Sequence, residues 1–62
     1  MKQLRFLLKL DSNGTQKMPT YYLYRSEELN DGRPIVDGFY VQRSALGSTP
    51  PDTLSILLEW NS

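Results

Sequence analysis

The chain contains no cysteine and no histidine. Without cysteine there is no disulfide, no thiolate metal site and no thiol nucleophile. Without histidine the commonest general base and metal ligand is missing, and a Ser-His-Asp arrangement cannot be built from any of its serines. Long apolar runs are absent too. The basic, leucine-rich start Met1–Leu10 holds only Phe6–Leu8 between charges, far short of the ~7–15 residues of an export-signal core. No stretch approaches the ~20 apolar residues of a membrane span. These features lead us to expect a cytoplasmic protein with no membrane association. Net charge is also lacking: seven basic side chains balance seven acidic ones, which argues against binding nucleic acid by bulk positive charge. The four glycines are scattered, so no phosphate-cradling loop is present.

What remains is 62 residues, 39% apolar, with seven aromatics. That is enough for one small core and too apolar for a disordered chain. A chain of this size buries only about 60% of its unfolded surface. With disulfides impossible and no evident metal site, association with a second copy or another protein is the remaining common support.

Hydrophobic periodicity sets the fold class. Leu4, Phe6, Leu8 and Leu10 share one parity, and Leu54, Ile56, Leu58 and Trp60 share one parity at the other end. Period two marks half-buried strands. The spacing predicts strands near 2–10, 19–25, 35–43 and 53–60. The first and last are expected to be sheet neighbours or to face each other across the core. Asp11-Ser12-Asn13-Gly14 has the chemistry of a tight hairpin turn, and its overlap with a glycosylation acceptor pattern at Asn13-Gly14-Thr15 reads as coincidence. Residues 26–34 are polar and turn-forming, with one helical turn allowed at 26–29 and Asp31-Gly32 as its stop. Ser44–Gly47 reads as one helical turn closed by glycine. The expected architecture is all-β: one domain over residues 1–62, a small antiparallel sheet of three to five strands curled toward a barrel. Its core is expected around Phe6, Phe39, Val41, Ile56 and Trp60.

No enzymatic constellation emerges, and no cofactor or metal is expected. Glu27, Glu28, Asp31 and Asp37 form the only acidic cluster, without the spacing of a calcium loop. Two surface features point to binding instead. Arg5, Lys9, Tyr21, Arg25, Tyr40, Gln42 and Arg43 intersperse basic and aromatic side chains on predicted strands. On one sheet face they would offer a platform for another protein, or for single-stranded DNA or RNA by base stacking. Leu7 and Leu57, with Leu23, lie on nominally polar strand faces and would form an apolar patch suited to a homodimer or partner. Charge is also unevenly placed: residues 1–25 carry five basic and one acidic side chain, residues 26–62 two basic and six acidic. This split fits either a polar molecule with a basic face or ion pairs between the halves. The expected function is a non-enzymatic binding module, accessory or regulatory, acting on proteins. Single-stranded nucleic-acid binding is the alternative.

Overall fold

A computed structural model describes residues 1–61. The chain order is β1 (Lys2–Leu10), α1 (Ser12–Gln16), β2 (Tyr21–Ser26), β3 (Leu29–Asn30), β4 (Arg33–Pro34), β5 (Phe39–Gln42), α2 (Arg43–Leu46) and β6 (Thr53–Trp60). Four strands form an antiparallel sheet in the order β5-β2-β1-β6, which curls into a half-barrel. β3 and β4 form a separate two-stranded hairpin. The two ends of the chain are neighbours: β1 and β6 pair along their length, from Lys2 opposite Trp60 to Lys9 opposite Thr53.

Register assigns the faces, because directly opposed residues point to the same side. Phe6 opposes Ile56, Leu8 opposes Leu54 and Ser26, Leu10 opposes Tyr24, Tyr22 opposes Val41, and Tyr24 opposes Phe39. These residues line the core face. Leu8 and Tyr24 are fully buried at its centre, and Phe39, Val41, Leu54 and Ile56 pack around them partly exposed. Trp60 does not belong to this core: it is 41% exposed, at the far end of the β1–β6 pair. The core is covered by α2 and the chain that follows it. The Tyr22 hydroxyl donates to the Gly47 carbonyl, and the Tyr24 hydroxyl donates to the Pro51 carbonyl at 2.8 Å. Both tyrosines thus bury their rings while the hydroxyls hold the covering loop, which suits a side chain with an apolar body and a polar tip.

Several boundaries differ from the sequence expectation. Residues 11–16 wind into a helical turn rather than a tight hairpin turn. Asp11 caps it by accepting the Gly14 N–H at 3.1 Å, the usual role of a short acidic side chain at a helix start. Segment 26–34 contains no helical turn. Ser26 ends β2 and Leu29 begins a hairpin whose Asp31 (φ 55°) and Gly32 (φ 78°) are both left-handed, the conformation that an Asp-Gly hairpin turn requires. Residues 35–38 lie outside any strand. They are tied instead to the end of β2, where Ser26 exchanges bonds with Val36: its N–H donates to the Val36 carbonyl at 2.9 Å, and its hydroxyl accepts the Val36 N–H at 3.0 Å.

Candidate functional site

The face of the sheet opposite the core carries the candidate platform. Lys9 opposes Arg25, Leu23 opposes Tyr40, and Tyr21 opposes Gln42. Arg5 and Leu7 continue the same parity along β1. Six of the seven basic and aromatic candidates (Arg5, Lys9, Tyr21, Arg25, Tyr40 and Gln42) therefore share one face. Tyr21 and Tyr40 are diagonal neighbours whose rings meet edge to face, 6.4 Å between centroids and 80° between planes.

The charges on that face are largely committed. The Arg25 Nε donates to Asp11 Oδ2 at 2.9 Å, and its Nη1 donates to Asp37. Lys9 stands 3.6 Å from Glu27. The Asp11 carboxyl is held below its ordinary value, first by the Gly14 N–H and then by the Arg25 guanidinium. Arg25 is correspondingly raised by the two carboxylates. The uneven charge distribution along the chain is thus used in part for pairing between its halves, through Lys9–Glu27 and Arg25–Asp37. Among the described residues, Arg5 is the platform cation without an acidic partner.

Arg43 departs from the platform. It begins α2, and its guanidinium turns inward: Nη2 donates to the carbonyls of Thr15 (2.9 Å) and Met18 (2.6 Å), and Nε to that of Tyr21 (3.2 Å). Its Cζ lies 5.0 Å from the Tyr22 ring centroid, within range of a cation–π contact. Arg43 therefore fastens the end of α1 to the start of β2. Its position at the end of a predicted strand gave no sign of this, because the carbonyls it serves become available only once α1 forms. An open depression of about 440 Å³ lies beside it, lined by Tyr22, Arg43, Ser44, Gly47 and Ser48. The Nε and Nη2 groups of Arg43 are engaged by these carbonyls, so the side chain is held in place beside the depression. Among the described residues, no group of three acidic side chains is placed to hold a metal ion, and no helix is long and apolar enough to cross a membrane.

The expected leucine patch is divided. Leu23 is 4% exposed. It packs beneath α1, and its backbone N–H donates to Thr15 Oγ1 at 2.9 Å while its carbonyl accepts the Asp11 N–H at 2.9 Å. α1 thereby supplies β2 with the partners it lacks once β1 has ended. Leu23 is therefore not part of an open patch: α1 covers it on the face opposite the core. Leu7 (55% exposed) and Leu57 (43% exposed) remain open to solvent on adjacent strands. They are diagonal neighbours, since Leu57 opposes Arg5 and Leu7 opposes Ser55.

The feature that sequence reasoning missed is where β1 loses its second neighbour. β2 pairs with β1 only at Leu8, Lys9 and Leu10. From Lys2 to Leu7, β1 has β6 alone beside it. Beyond the core the two strands run on as a two-stranded ribbon. Leu4, Leu58 and Trp60 are exposed on the continuation of its core face, and Leu7 and Leu57 on the other. No protein-family model, no curated protein and no solved structure matches this chain.

Proposed function

We propose that the chain is a non-enzymatic protein-interaction module, accessory or regulatory in kind, that docks through the β1–β6 ribbon. The observation that carries this reading is the ribbon itself: two strands with exposed apolar side chains on both faces, and with backbone donors and acceptors facing solvent along both edges. An isolated two-stranded ribbon is marginal in water, and an open edge accepts an added strand from a partner. Trp60 and Arg5, of types enriched in interface hot spots, lie within it.

Single-stranded nucleic acid is the competing ligand, favoured by the edge-to-face Tyr21–Tyr40 pair on the same face as Arg5. Against it, Arg25 and Lys9 stand beside carboxylates, which reduces the positive charge that this face offers to phosphates. Titration of the protein with a short single strand at low salt, followed by amide-resolved spectra, separates the two. No shift at Tyr21, Tyr40 or Arg5 is expected. Binding there that weakens steeply with salt overturns the protein-interaction reading.

A further inference from the structure

We infer that the partner of the ribbon is a second copy of this chain, joined β6 to β6 in antiparallel fashion about a two-fold axis at Leu57, so that two four-stranded sheets become one of eight strands. The inference rests on the interaction reading above and names its occupant.

Three observations support it. First, β6 is an outer strand of the sheet over its whole length. Its sequence Thr53–Trp60 contains neither proline nor lysine, the residues that commonly blunt an outer strand. Second, the strand is complementary to itself. A two-fold axis perpendicular to the sheet keeps core face with core face, so the opposed residues must have the same parity. Centred on Leu57, Leu57 meets its own copy, Ile56 meets Leu58, and Leu54 meets Trp60, apolar against apolar. Glu59, the only charge in the strand, meets Ser55, so no like charges are opposed. The chain's zero net charge adds no long-range repulsion between copies.

Third, the surface area is what a half-interface would leave open. The chain exposes 4743 Å², whereas a compact monomer of 7.2 kDa exposes about 4100 Å². The excess, on the order of 600 Å², approaches the ~800 Å² that each partner contributes to a standard interface. The radius of gyration agrees: 12.6 Å against about 10.6 Å for a compact chain of this length. The elongation is that of the ribbon, which pairing would place at the centre of the assembly.

Cysteine substitution tests the register on a background that has no cysteine of its own. Directly opposed residues in an antiparallel pair fall within disulfide reach. The native chain is first sedimented over a dilution series, and a mass of twice 7.2 kDa at the upper end is expected. Under mild oxidation Leu57→Cys is expected to form a covalent pair. Leu7→Cys, more exposed but one strand further from the axis, is expected not to. A mixture of Ser55→Cys and Glu59→Cys chains is expected to give the mixed disulfide in preference to either homodimer, which keeps the test independent of Leu57. A monomer at every concentration overturns self-pairing and leaves the interaction reading to the oligonucleotide titration. A dimer that cross-links through Leu7→Cys, or in which neither the Leu57→Cys chain nor the Ser55→Cys and Glu59→Cys mixture cross-links, overturns the β6 register.

Discussion

Replacing Gly14 by alanine sets two effects against each other, and the structure decides between them. Alanine is favoured over glycine inside a helix by about 0.8–1 kcal/mol, so at an open helical position the change would stabilise. Here a methyl group on Gly14 would stand 2.3 Å from Cδ2 of Leu23 and 2.9 Å from Oδ2 of Asp11, against an ordinary carbon contact of about 3.5–4.0 Å. Leu23 is buried between α1 and its neighbours on β2 and β5, so its side chain can yield only by displacing packed neighbours. Moving Asp11 weakens both the cap on the Gly14 N–H and the bond to Arg25. Crowding a filled core costs about 1–3 kcal/mol, which exceeds the gain in helix propensity. Gly14→Ala is expected to lower stability by about 1–2 kcal/mol, or roughly 5–15 °C in melting temperature for a domain this small. Far-UV circular dichroism during urea and thermal unfolding reads it, at matched protein concentration so that association does not enter. Gly32→Ala is the control: no atom lies within 4 Å of the added methyl, but φ is +78°, so its cost of about 1–2 kcal/mol comes from the left-handed backbone alone. A Gly14→Ala chain as stable as the native one would refute the close packing of α1 on β2.

Other expectations follow from the same contacts. Tyr24→Phe removes the donor to the Pro51 carbonyl, which stays within reach of water, and is expected to cost about 0.5–1.5 kcal/mol; an unchanged urea midpoint would show that the loop after α2 is held some other way. Asp11 titrates below its ordinary 3.8, so the stability it contributes is complete above that value and lost as pH falls through the lowered one; Asp11→Asn should flatten the acid limb of the unfolding profile. Tyr24 is raised above 10.0, mainly by burial and then by Tyr22 and Asp52. Its contribution should hold below pH 10 and fall above it, and an alkaline limb unaffected by Tyr24→Phe would contradict this. Leu57→Glu, at an exposed position on the proposed two-fold axis, should leave unfolding within about 0.5 kcal/mol of native while weakening association, because it sets two like charges against each other. Equal association of the two chains, measured by sedimentation, would remove Leu57 from the interface.

Strand identity was legible wherever one face is buried and the other solvated. The alternations through Leu4–Leu10 and Leu54–Trp60 mark β1 and β6 because a half-buried strand must present apolar groups at every second position. The same reasoning failed at Asp11–Gly14, where residues suited to a tight turn are equally suited to a capped helical turn, and the Asp11–Gly14 hydrogen bond tips the balance. It also passed over the hairpin at Leu29–Pro34, although Asp31-Gly32 is a strong hairpin signal, because two-residue strands are too short to show alternation. Of the candidate surface, parity along the strands placed Arg5, Lys9, Tyr21, Arg25, Tyr40 and Gln42 on one side. It gave no information on which charges would find partners.

The sequence by itself determined an antiparallel β architecture, the amphipathic faces of its outer segments, and the exclusion of chemistry that needs cysteine or histidine, because periodicity and residue type are local properties. The tertiary structure alone decided that Leu23 is covered while Leu7 and Leu57 are not, that Arg43 serves backbone carbonyls, and that β1 outruns β2 to leave a ribbon with two open edges. Those outcomes depend on where a strand finds its neighbour and where that neighbour ends, and pairing between distant segments is set by the whole chain rather than by any stretch of it.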